Sequence, residues 1–132
     1  MDQGPLVVEE IDAGLAFARE FDAYAPVKVA FWLKASDDDQ RYLYIASDSI
    51  TDDNIGNAYG EVLRLAKSQP SPYFDPFRVK LTRGNDVLAQ AAAEVQHRYP
   101  GVLPTRFGGR SFGGLGVDDV YIYPSSLTAA VP

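Results

Sequence analysis

Apolar positions recur along the chain with two different periods. In residues 9–24 the spacing is helical: Leu15 and Ala18 share one face, and Phe17, Phe21 and Tyr24 extend it at i, i+4 and i+7. Pro26 then stops the helix. Over residues 27–34 the period drops to two, with Val27, Val29, Phe31 and Leu33 alternating with Lys28, Ala30, Trp32 and Lys34. Residues 41–47 alternate in the same way, Leu43 and Ile45 on one face and Tyr42 and Tyr44 on the other. The short polar link 35–40, holding Asp37, Asp38 and Asp39, predicts an antiparallel hairpin.

Helical spacing returns with Ile55, Tyr59, Val62 and Ala66 and ends near Lys67, with Thr51 or Asp52 as N-cap and Asp52 and Asp53 at the positive end of the dipole. Residues 69–76 hold three prolines and read as a loop. Residues 77–82 read as a strand with Phe77, Val79 and Leu81 inward. Asn85 or Asp86 caps a third helix, 87–99, striped by Leu88, Ala91 or Ala92, Val95 and Tyr99 and ended by Pro100 and Gly101. Residues 102–116 contain five glycines and predict two short strands around a Gly108–Gly109 turn; 117–123 is the last strand. The expected fold is one α/β (α+β) domain over 1–124, of order α-β-β-α-β-α-β-β, with a loose tail at 125–132. A helix joins the second and third strands, so they should be parallel through a right-handed crossover. The hairpins make the rest antiparallel, giving a mixed, mostly antiparallel sheet of about five strands with three helices packed on it.

Composition narrows the chemistry. The chain has no cysteine, which removes disulfides, thiolate catalysis and cysteine-held zinc or iron–sulfur groups and fits a cytoplasmic location. With one histidine, a histidine-rich metal site is excluded by count. No cofactor motif is found: the glycine-rich run lacks both the Gly-Lys-Ser/Thr ending of a P-loop and the helix that a dinucleotide fingerprint opens. The N-terminal residues lack the features of a signal peptide, and no apolar run approaches the ~20 residues of a membrane span. The net charge of −6 argues against nucleic acid as a partner, since such binding rests on neutralising phosphates. The charge is unevenly distributed: residues 1–75 carry 14 acids and 6 bases, residues 76–132 carry 4 acids and 6 bases.

Four features invite a chemical reading. His97, late in the third helix, suits the negative end of that helix better than catalysis. Asp37, Asp38 and Asp39 lack the alternate spacing of a calcium loop and read as a solvated turn. A nuclease-like acid followed by acid-x-lysine is missing, since Arg78-Val79-Lys80 occupies that strand. Asp48 directly follows a strand, where open α/β sheets bind ligands; it is the candidate general base, although turning the chain or capping the next helix is the plainer reading. The glycine-rich segment is the main anomaly. Arg106 and Arg110 flank Gly108 and Gly109, and two guanidiniums beside exposed backbone N–H groups suit a carboxylate or phosphate. The plain alternative is a hairpin whose arginine pairs with Asp118 or Asp119.

With 8 tyrosines, 7 phenylalanines and 1 tryptophan, the sheet is rich in rings. Trp32, Tyr42 and Tyr44 are expected together on the second face of the hairpin, as core if helices cover it and as an interface if they do not. The resulting expectation is a small non-enzymatic binding or protein-interaction module with a protein partner or as a homodimer. The alternative is a small enzyme or ligand-binding domain that holds an anionic molecule through Arg106 and Arg110, with Asp48 as base.

Overall fold

The computed structural model describes residues 6–99 and 104–124. Its elements are α1 (Val8–Tyr24), β1 (Val29–Ala35), β2 (Arg41–Ser47), α2 (Ile55–Ser68), a 3-10 turn (Pro76–Arg78), β3 (Val79–Arg83), α3 (Val87–Arg98), β4 (Thr105–Phe107), β5 (Arg110–Phe112) and β6 (Leu115–Ile122). The order is the expected one, and the result is a single α+β domain. Its sheet runs β3-β2-β1-β6-β4, with β5 also paired to β6. β2 and β3, joined through α2, are parallel; every other pairing is antiparallel. The tail expected at 125–132 and the helix stop at Pro100 and Gly101 lie outside the described residues.

Helices cover both faces of the sheet. On one side Ala30, Trp32, Leu43, Ile45, Val79, Leu81 and Tyr123 pack with Phe17 and Phe21 of α1 and Ala58, Val62 and Leu65 of α2. On the other, Val29, Phe31, Leu33, Tyr44, Val120 and Ile122 pack with Ala89 and Ala92 of α3. β1 is therefore buried on both faces from Val29 to Lys34. Burying side chains the size of Phe31 and Leu33 stabilises the fold by ~1.5–3 kcal/mol each. The edge strand β3 is partly blunted by Tyr59 of α2, whose hydroxyl accepts a hydrogen bond from the Leu81 N–H at 3.0 Å.

Three local expectations are corrected. Trp32 does not share a face with Tyr42 and Tyr44. The hairpin register sets Lys34 opposite Arg41 and Trp32 opposite Leu43, and directly opposed residues share a face. Trp32 and Tyr44 are buried in different cores, and only Tyr42 is half-exposed, so no aromatic surface forms there. Phe77 is not an inward strand residue. Asp75 accepts a hydrogen bond from the Phe77 N–H at 2.9 Å and Pro76 opens a 3-10 turn, which directs Phe77 outward. The N-cap of α2 is Asn54 rather than Thr51 or Asp52; Thr51 supplies a carbonyl to the Ile55 N–H, and its own N–H donates to Asn54 Oδ1. At α3 the expected Asp86 cap holds, its carboxylate accepting from the Leu88 N–H.

Candidate functional site

The glycine-rich segment follows from register. β4 and β5 both pair with β6 in one continuous alignment: Arg106 faces Tyr121, Phe107 faces Val120, Arg110 faces Val117 and Phe112 faces Leu115. They are two pieces of one strand, not the arms of a hairpin. The reversal lies at Gly113–Gly114, with φ of 59° and 84°, the two left-handed residues that a type I′ loop demands. Gly108–Gly109, expected as the turn, is the break between the pieces. Gly109 has φ 66° and donates to the Val117 carbonyl at 3.1 Å. A Cβ on Gly108 would collide with the Asp118 carbonyl.

The two arginines on either side of this break take different partners. Arg106, opposite Tyr121, donates from Nε and Nη2 to both carboxylate oxygens of Asp119, at 3.1 and 2.9 Å. That is the internal ion pair named above as the plain alternative. Arg110 instead lies over the ring of Phe107, 4.9 Å from its centroid, on the α3 side. A cleft of about 340 Å³ between α3 and this strand is bordered by Arg98, Tyr99, Arg106, Phe107, Arg110 and Phe112, so both arginines reach its edge. Arg98 pairs with Glu94 at 2.6 Å, whereas Arg110 has no carboxylate within 4.0 Å among the described residues.

Asp48 stands just past the carboxyl end of β2, as expected, beside the matching end of β3. It borders a cleft of about 490 Å³ with Thr51, Asp52, Arg83 and Asn85. Lys28 Nζ approaches its carboxylate to 3.8 Å, and Arg83 is ion-paired to Asp52. Asp48 and Arg106 are not brought together. Arg106 binds Asp119 near Arg41, at the start of β2, and the strand rises ~3.3 Å per residue from there to Asp48. No group of three metal-ligating side chains occurs among the described residues.

Two features escaped the sequence reading. The first is a row of charges on the α1 side of the sheet. Lys34 and Arg41, opposite each other on β1 and β2, are 7% and 5% exposed. Lys34 Nζ lies 2.8 Å from Asp118, and Arg41 lies 3.6 Å from Asp119. Burial pushes the Arg41 guanidinium down from its ordinary value, against the opposing pull of Asp119. Hydrogen bonds from Lys34 and then Ser36 hold the Asp118 carboxyl below the usual range. Carboxylates of the chain's own β6 thus meet both buried cations and offset part of the cost of burying them.

The second is an apolar groove of about 840 Å³ between the outer face of α2 and residues 70–77, bordered by Gly60, Leu63, Pro70, Phe74, Pro76 and Phe77. Phe77 is 81% exposed and Leu63 44%. Along α2, Gly56, Gly60, Leu63 and Lys67, with Asp53 in the preceding turn, form an exposed seam at steps of three and four. A Cβ on Gly56 or Gly60 would meet nothing within 4 Å. Glycines inside a helical pattern were the sequence signal for this face.

Compared with protein-family models, curated proteins and solved structures, the chain matches none.

Proposed function

We propose that this chain is a non-enzymatic protein-interaction module whose contact surface is the outer face of α2 together with residues 70–77. The observation that carries the reading is Phe77, 81% exposed across an apolar groove from Leu63. A ring so exposed gains by being covered, and aromatic anchors set in a groove supply much of the energy of protein contacts. The joint catalytic site of the alternative reading loses support, because Asp48 and the arginines border separate clefts. The test is a photo-crosslinking residue placed at Phe77 and, as control, at Gln90, which is exposed on α3 across the sheet. In cells that make the protein, position 77 should give a discrete adduct that position 90 does not. Equal labelling at both positions would overturn the reading.

Arg110 favours a second reading, in which the α3 cleft takes an anionic group. A guanidinium without a carboxylate partner among the described residues, over Phe107 and near Arg98, suits a carboxylate or phosphate attached to an apolar body. Inorganic phosphate should raise the thermal midpoint of the parent in a saturable way that Arg110→Ala loses. Equal rises in both proteins would leave only a general salt effect and end this reading.

A further inference from the structure

We infer that the partner on this surface is a second copy of the same chain, its α2 laid antiparallel to the first across a two-fold axis at Gly60. The inference rests on the reading of α2 and residues 70–77 as a contact surface, and names the occupant.

Charge along the seam selects that occupant. The seam begins with an acid, Asp53, and ends with a base, Lys67, and neither has an ion-pair partner among the described residues. In an antiparallel pair centred on Gly60, each residue meets the one equally far beyond the centre on the other copy. Asp53 then meets the partner's Lys67, and by symmetry Lys67 meets the partner's Asp53. The two pairs lie about 10 Å either side of the axis, at ~1.5 Å rise per residue. A parallel pairing would set Asp53 against Asp53 and Lys67 against Lys67. A face acidic at one end and basic at the other is self-complementary only in the antiparallel sense, which is what an isologous two-fold contact requires.

The steric pattern agrees. Gly60 at the crossing lets the two backbones approach closely, as small residues do at tight helix crossings. Gly56 meets the partner's Arg64 and leaves room for its stem, while Leu63 meets the partner's Asn57. Phe77, which borders the same groove as Gly60, is covered by the incoming helix. The contact is small, at the low end of the ~1,200–2,000 Å² of stable interfaces, so the dimer should dissociate on dilution.

The test uses the intact chain. Sedimentation over a broad concentration range should show the mass rising from 14.4 kDa towards twice that value. Asp53→Lys and Lys67→Glu should each weaken association about tenfold or more, and the two together should restore it, because the swap rebuilds both pairs in reverse. Both positions are exposed and outside the core, so each substitution touches the fold mainly through the α2 dipole, and the thermal midpoint of each variant at low concentration separates that effect from association. The absence of native cysteine permits a second measurement. Gly60→Cys should form a disulfide dimer under mild oxidation much faster than Gln90→Cys. A chain that stays at 14.4 kDa, equal oxidation of the two cysteine variants, or a dimer indifferent to the charge swap would each overturn the inference. A foreign adduct at Phe77 in cells, with the purified chain monomeric, would sink the second copy and leave the interaction module standing.

Discussion

Two helices of this protein carry glycine within them, and only one of them explains it from within. At Gly14 of α1 the missing side chain lets the sheet come close. Trp32 Nε1 donates to the Tyr123 hydroxyl at 2.9 Å, and that hydroxyl donates to the Ile11 carbonyl at 2.5 Å. A Cβ on Gly14 would collide with the hydroxyl and crowd the Trp32 indole. Burial pushes the Tyr123 phenol far above its ordinary value, so it remains a neutral donor. At Gly56 and Gly60 of α2 the same space is open. A glycine in a helix interior, such as Gly14 or Gly60, costs up to ~1 kcal/mol against alanine. In α1 the cost is offset by a buried hydrogen-bond relay. In α2 no described residue offsets it, and the adjoining face is the one that exposes Leu63 and Phe77. What the difference teaches is where each glycine is answered: Gly14 by the sheet, within the fold, and Gly56 and Gly60 by open space, on the face proposed above as a contact surface.

The largest expected effect breaks the α1 side. Gly14→Ala should destabilise the chain by about 2–4 kcal/mol in urea titration, despite the gain in helix propensity, because the methyl displaces the Tyr123 hydroxyl and strands two buried polar groups. Unchanged or increased stability would remove the distinction between the helices. Next in size, Tyr123→Phe should cost about 1–3 kcal/mol by leaving the buried Trp32 N–H without its acceptor. The two substitutions should couple. With the hydroxyl gone, Gly14→Ala has room, and the double variant should be more stable than the sum of the singles by ~0.5 kcal/mol or more. Simple additivity would mean that Gly14 answers to something other than this contact.

Periodicity carried most of the architecture, because alternation and helical spacing are local properties. The hairpin, all three helices and the Asp86 cap could be read from neighbouring residues. What could not be read depends on register between distant segments. Alternation separates Tyr42 and Tyr44 from Leu43, but only the pairing of Lys34 with Arg41 says that Trp32 sits with Leu43. Two Gly-Gly pairs lie close together, either one a plausible turn; the alignment of Thr105–Phe107 and Arg110–Phe112 along β6 decides for Gly113–Gly114. The same alignment sends Arg106 to Asp119 and Arg110 to Phe107, so the two arginines, although both border the α3 cleft, hold different partners. Phe77 was misplaced for a local reason that the sequence did contain: Asp75-Pro76 starts a turn, and the strand period was carried two residues too far back. The position of Asp48 at the end of β2 was legible, its separation from the arginines was not.

The smallest effect bears most directly on the comparison. Gly60→Ala adds a methyl to an exposed helix position where nothing stands within 4 Å. In dilute solution, where the proposed dimer would be dissociated, the substitution should stabilise α2 by up to ~1 kcal/mol and raise the thermal midpoint by a few degrees, roughly 2–6 °C for a chain of this size. At high concentration the sign of the advantage should shrink or reverse, since the methyl keeps two α2 helices apart at their crossing and the parent then gains stability by association that the variant lacks. Differential scanning of both proteins at two widely separated concentrations measures this directly. A midpoint lowered even in dilute solution would mean that the monomer itself needs Gly60, as it needs Gly14. A gain of the same size at every concentration would mean that nothing docks across Gly60, and the outer face of α2 would then carry its glycines without a structural reason.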